Sequence, residues 1–278
     1  MPSWRASVIW LAYAFKKQDN GSCYRQSRGG GGTVNASYYE GYGLLANRIS
    51  SPLLLSGRNL FHAPQIAAII EDIAAKLALR PTDRLLDIGC NVGLLLRPLA
   101  SRVARSVGVD HAEVLKQFDH ERTASSIELV AGQWPDVEVE GGFNCILAYS
   151  VVQCLQDKAA IDRFVASCLG RLLPGGRLLI GDIPNTSTWE RFVQSTSGQA
   201  AVHKHELSRE RERADTLEFQ AREAVFRDNA NLLYMTDADL LDLTARLRAQ
   251  GFNTYVLPQP PGLPHYGSRE DLLVVRPD

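Results

Sequence analysis

Between 64 and 79 the apolar residues Ile66, Ile69, Ile70, Ile73 and Leu77 recur at three- and four-residue intervals, which gathers them on one side of a helix. Pro64 suits its first turn, where a backbone N–H has no partner to lose. The periodicity then changes. Stretches 84–88 and 106–110 are short apolar runs that read as buried strands with a helix over 93–105 between them, a βαβ unit of the expected size. The same alternation predicts a short helix over 114–119, strands over 127–131 and 143–149, a helix over 157–173 stopped by Pro174-Gly175-Gly176, and a strand over 177–181. A helix over 236–250, opened by Thr236 and closed by Gly251, precedes strands over 252–257 and 272–276. The loop 258–268 between them is rich in Pro and Gly and leaves no room for a crossover helix, so this pair is expected to run antiparallel. The fold class predicted is α/β, a doubly wound seven-stranded sheet that is mostly parallel with a last antiparallel strand.

Two stretches depart from this rhythm. Residues 186–234 are largely polar, and 203–228 alone hold six basic and seven acidic residues, with Glu218/Arg222 and Glu223/Arg227 at i,i+4. A helical cap insertion with a solvated, ion-paired face is expected. At the start, the apolar run 8–15 is far shorter than the ~20 residues of a membrane-spanning helix and is followed by no small-residue cleavage site. Residues 20–32, with four consecutive glycines, have linker composition. The reading is a flexible segment over 1–33 and one domain over 34–278. The 30 Lys and Arg against 31 Asp and Glu leave a net charge of −1, no basic field for a phosphate backbone, and exclude nucleic acid as main partner. Five cysteines, odd in number and never spaced C-x-x-C, argue against a disulfide framework or a metal site and for a reducing cytoplasm.

Chemistry concentrates in Leu85-Leu86-Asp87-Ile88-Gly89-Cys90-Asn91-Val92-Gly93, a strand with an acidic residue near its end that opens through a tight turn into a helix. Gly89 and Gly93 permit positive φ and close approach of a ligand, and the amides that follow suit an anion. A dinucleotide fingerprint needs G-x-G-x-x-G. Here the spacing is D-x-G-x-x-x-G, and the Asp87 carboxylate would repel a pyrophosphate but attract a cation. The stretch resembles the first motif of the class I S-adenosylmethionine-dependent methyltransferases, usually LDIGCGxG. Asp110, 17 residues after Gly93, matches the acid that in this family accepts hydrogen bonds from ribose hydroxyls. The stretch from Val130 to Pro135 matches the turn after the third strand, Phe143 to Ser150 the fourth-strand motif, and Leu172 to Ile180 the L-x-P-G-G-x-L-x-I signature.

The resemblance, which covers roughly 80–184, implies a Rossmann-like methyltransferase fold and S-adenosyl-L-methionine as cofactor. It implies cofactor contacts from Asp87, Gly89, Cys90, Asn91, Gly93, Asp110, Gln133, Trp134 and Ser150, with Gln133 at the adenine edge and Trp134 either stacking on that ring or plugging the core. Tyr38, Tyr39 and Tyr42 read as a lid over the cofactor or as a helix packed on the core. A hydroxyl acceptor needs a base, for which His203 or His205 in the insertion and Asp182 at the end of the fifth strand are the candidates. At i,i+2 the two histidines cannot share one face of a helix. Three departures stand out: Asn91 replaces a glycine, Asn144 replaces an acid, and Pro98 falls inside the helix after the first motif, where a bend is expected. The expected activity is methylation of a small-molecule acceptor, on oxygen of a sugar or secondary metabolite. No nucleic acid and no membrane insertion are expected, and a homodimer is left open. A catalytically degenerate binding or regulatory protein and a nicotinamide-dependent oxidoreductase are the alternatives.

Overall fold

The computed structural model describes residues 37–118, 127–213, 217–228 and 232–278. The segment expected over 1–33 lies outside the described residues. The strands are β1 Arg84–Ile88, β2 Arg105–Asp110, β3 Ile127–Ala131, β4 Phe143–Tyr149, β5 Leu172–Pro184, β6 Asn253–Pro258 and β7 Arg269–Val275. They form one sheet in the order β3-β2-β1-β4-β5-β7-β6. β7 runs antiparallel to both of its neighbours and every other pairing is parallel. The loop before β7 therefore does what its composition predicts.

Successive strand residues point to opposite faces, and each face receives its own helices. On one side Leu86, Ile88, Ile146, Leu178 and Ile180 pack against α6 (Lys158–Arg171) and α10 (Asp237–Ala249). On the other, Leu85, Leu147 and Leu179 pack against α3 (Ile66–Leu77) through Ile69, Ile70, Ile73 and Leu77, the stripe read from the sequence. Thr236 caps α10 in a reciprocal box with Asp239, and Asp157 caps α6.

Three boundaries differ from expectation. Residues Leu60–Gln65 wind as a 3₁₀ turn that leads into α3, with Pro64 inside it. The helix expected over 93–105 shrinks to α4, Leu96–Ala100, flanked by turns, with Pro98 inside it between Arg97 and Leu99, whose amides donate to Gly93 O and Leu95 O. β5 begins at Leu172, before Pro174-Gly175-Gly176, because the chain is extended as soon as α6 ends.

The described part of 186–234 forms three helices: α7 Thr186–Gln194, α8 Thr196–Arg213 and α9 Leu217–Asp228. The solvated face expected for α9 is corrected. Phe219 is 1% exposed among Leu45, Ile49, Leu54 and Leu55 of the segment holding α1 (Tyr38–Ala46) and α2 (Pro52–Leu55). Arg222 is 4% exposed and donates to Arg58 O and to Asn59 Oδ1, each at 2.6 Å, while Glu218 accepts from the Ser50 amide and hydroxyl. Charges counted as a surface pair dock the insertion onto the chain that precedes the sheet. Glu223 and Arg227 lie outside the described side chains.

Candidate functional site

β1 pairs with β2 on one side and β4 on the other, so the connections after β1 and β4 diverge and leave a crevice at the carboxyl ends, where open α/β sheets bind ligands. A cleft of about 500 Å³ opens there. Its floor is the turn between β1 and α4. Gly89, at φ +76°, donates to Val109 O at 2.8 Å, and a Cβ on it would stand 2.6 Å from Val151 Cγ2. Asn91 adopts the left-handed conformation at φ +51°. Its amide donates to Asp110 Oδ2 at 2.7 Å and its Nδ2 to Leu55 O at 3.2 Å, so the asparagine that replaces glycine also ties the turn to α2. The other Asp110 oxygen accepts from the His111 amide at 2.6 Å. Gly93 plays a different part. A Cβ there would meet the Phe118 ring at 2.2 Å, and the glycine packs the turn on that ring without lining the cleft.

Asp87, Cys90 and Asp110 line the cleft with this turn. Burial first, and then the Asp110 carboxylate, push Asp87 up to about 7 against the pull of Arg58. Burial raises Asp110 as well, opposed by its two amide donors. Two carboxylates withdrawn from water beside one cavity are complementary to a cation, which would return both to their ionised forms. Arg58 and Arg163 are the cations that line the cleft among the described residues. Tyr38, Tyr39 and Tyr42 of α1 wall it on one side, and burial raises the pKa of all three phenols.

Ser150 follows β4 at φ +62°, lines the cleft and donates to Asp182 Oδ2 at 2.6 Å. Asp182 itself lies behind Ser150 and not in the cleft wall. Burial works against its ionisation, but Arg269, His265 and the Ser150 hydroxyl outweigh it and hold the carboxyl below its usual range. Its amide donates to Asp271 Oδ1 at 2.8 Å, within a buried network that also takes in Gln259 and Tyr149.

On the opposite wall Gln133 and Trp134 line the cleft. Trp134 is 7% exposed, belongs to the core and donates its Nε1–H to Ser167 Oγ at 2.7 Å, so its body serves packing. Asn144 lies at the far end of β4, where Oδ1 accepts from the Arg84 amide at 2.9 Å. His203 is exposed on α8 and outside the cleft. His205 instead meets Phe61, His62 and His265, with ring centroids 5.4, 6.1 and 6.4 Å away. His62, His265 and Arg58 have no counterpart in the sequence reading. They come from a 3₁₀ turn, a Pro- and Gly-rich loop and an irregular link, none of which carries a periodicity or a spacing that points to chemistry.

With this geometry in place, comparison with known proteins is informative. The methyltransferase domain family matches residues 58–255. The chain is 31% identical over 113 residues to the ubiquinone biosynthesis O-methyltransferase of Nitrobacter winogradskyi, covering 40% of this chain and 41% of that one. It is 31% identical over 169 residues to the enzyme of the same name from Mesorhizobium japonicum, covering 55% and 66%. These matches span well under the full length of either relative. In fold it is similar to phosphoethanolamine N-methyltransferase 1 of Haemonchus contortus, solved with phosphoethanolamine and S-adenosylhomocysteine, with a TM-score of 0.57 at 13% identity over 86% of this chain and 49% of that one. The match to the family covers more than half of the chain and includes both the acid-lined turn and the strands that frame it, and the chain belongs to the class I S-adenosylmethionine-dependent methyltransferase family.

Proposed function

We propose that the protein transfers a methyl group from S-adenosylmethionine to an oxygen of a small molecule. The observation that carries this is the cleft at the switch between β1 and β4, where the buried Asp87 and the half-buried Asp110 face one cavity with Arg58. A nucleoside bearing a zwitterionic amino acid and a sulfonium fits that charge pattern: carboxylates toward its cationic groups and hydroxyls, Arg58 toward its carboxylate, and Gln133 toward its base. The residues present suit such a cofactor, which supplies an electrophilic methyl on a leaving group that becomes neutral. The protein's share is then chiefly alignment and exclusion of water, to which the α1 tyrosines contribute by covering one side.

Oxygen is favoured as the acceptor atom by the names of the relatives matched over the sheet, and a sugar or secondary metabolite is the acceptor class this reading retains. A degenerate, non-catalytic binder loses the argument from Asn91 and Asn144, because each of them makes a backbone hydrogen bond that explains its presence. The experiment is calorimetric titration with adenosylhomocysteine, followed by methyl transfer from labelled adenosylmethionine to a panel of hydroxylated acceptors. Saturable binding lost in Asp110→Asn is expected; no heat at millimolar ligand would overturn the reading.

A further inference from the structure

Tyr38, Tyr39 and Tyr42 reach the cleft from α1, and α1 in turn rests on a side chain that does not line the cleft, His111. Tyr39 stands four residues before Gly43 and Glu40 three before it, so all three share one side of the helix. His111 meets that side. Its ring centroid is 4.7 Å from that of Tyr39, at 54°, and its Nε2 is 3.7 Å from Glu40 Oε2. Gly43 comes so close that a Cβ there would stand 2.3 Å from His111 Cε1. Glycine lets the helix settle on the ring, although in a helix interior it is less favourable than alanine.

The ring is itself held in place. His111 is the N-cap of α5 (Ala112–Leu115), and its Nδ1 accepts from the Glu113 amide at 3.1 Å, which puts the proton of the neutral ring on Nε2, toward Glu40. The His111 amide donates to Asp110 Oδ1 at 2.6 Å. One residue thus orients the carboxylate that ends β2 with its main chain and seats α1 with its side chain. The other end of α1 is fastened to the same segment: Gln117 Nε2 donates to Ile49 O at 3.0 Å, and Val114 packs with Leu45 and Ile49. Asp110 and the helix also meet electrostatically, since the Asp110 carboxylate adds to burial in raising the Tyr39 phenol.

We propose that His111 is a positioning residue that couples ribose binding at Asp110 to the seating of α1 over the cleft, so that α1 retains the cofactor. The inference rests on the activity proposed above. A ligand that engages Asp110 and packs on the α1 tyrosines binds the seated arrangement more tightly than an unseated one. By reciprocity, whatever unseats α1 weakens the ligand by the same factor. Because α1 walls one side of the cleft, the loss falls on departure of the ligand, for which a loosened wall opens an exit without adding a barrier to entry.

The test approaches the contact from both sides. His111→Asn keeps a cap for the Glu113 amide and the main-chain donor to Asp110 but deletes the ring. Gly43→Ala improves helix propensity and pushes α1 off the ring by one methyl group. Association and dissociation of adenosylhomocysteine are followed by stopped-flow fluorescence, with Trp134 of the cleft as reporter, and amide hydrogen exchange is read over 38–46. In the wild type adenosylhomocysteine is expected to slow exchange in α1. In each variant dissociation is expected to be about tenfold faster with association unchanged within about twofold, and ligand protection of α1 to fall about tenfold while that of β1 and β4 persists. A residue needed only to cap α5 would leave dissociation from His111→Asn at the wild-type rate. Unchanged dissociation in either folded variant, or no ligand protection of α1 in the wild type, overturns the coupling and leaves the proposed activity standing. A wild type that does not bind adenosylhomocysteine overturns the activity and this inference with it. If one variant does not fold, the other decides by the same criterion.

Discussion

Asp87 is held in its protonated form by the fold at a pH where an exposed carboxyl is ionised, and this makes it a stability liability that a cation relieves. Its folded value of about 7 stands above the ordinary 3.8. A raised folded value gives stability that is complete below about pH 4 and disappears as pH rises through 7. Asp87→Asn is therefore expected to leave the unliganded protein unchanged at pH 4 and to stabilise it at pH 8 by up to about 4 kcal/mol, the worth of some three pH units, read from urea unfolding at both pH values. The same variant should lose most of its affinity for adenosylhomocysteine. In the wild type, binding near pH 6.5 should release a proton, seen as a buffer-dependent heat in calorimetry, and that dependence should vanish in Asp87→Asn. The acids Asp87 and Asp110 and the turn residue Asn91 were legible in the sequence because they follow directly from two strand ends. Arg58, His62 and His265 were not, because only tertiary folding brings their segments together.

The insertion helices show how a correct element can be read with the wrong face. Helical propensity and i,i+4 charges announced α9, but charge counting cannot tell a solvated arginine from one whose stem is packed and whose guanidinium is spent on carbonyls. Arg222 donates to Arg58 O and Asn59 Oδ1, and Phe219 fills the small core beneath α1 and α2. The helix therefore holds the link that carries Arg58 and leads to His62. Phe219→Ala is expected to cost about 3–5 kcal/mol, the range for a buried aromatic truncated to Ala. Arg222→Ala should cost about 2–4 kcal/mol through hydrogen bonds made by a charged donor. Both should raise amide hydrogen exchange over 51–62 more than in β1 or β4. Uniform exchange across the sheet and this link would show that α9 does not brace it. α4 makes the complementary point: its helical pattern was real over 96–100, but turns made by its neighbours, not propensity, set its ends.

The antiparallel insertion of β7 between β5 and β6 gives the sheet a second consequence beyond closing its edge. It brings Asp271, fully buried, beside the ends of the strands that frame the cleft, and there Asp271 accepts from Lys76 Nζ of α3 at 2.6 Å and from the Asp182 amide. Lys76 also pairs with Asp72 at 2.6 Å, so one polar network runs from a covering helix through β7 and β5 to Ser150 in the cleft. Burial holds Asp271 above its usual range while Lys76 opposes that shift. Lys76→Met removes the opposing charge, which leaves a carboxylate in the core and raises its folded value further. The loss should reach about 3–5 kcal/mol at pH 8, the usual cost of breaking a buried pair from one side. Because a raised folded value confers stability at low pH and withdraws it as pH climbs, the deficit relative to wild type should shrink toward pH 4. Adding Asp271→Asn to Lys76→Met should restore most of the stability at pH 8, because Oδ1 can still accept from the Asp182 amide and Gln259 with no charge left on that side chain to desolvate. A double variant as unstable as Lys76→Met alone, or a deficit independent of pH, would place the cost in lost packing of the lysine stem and not in the charge of Asp271.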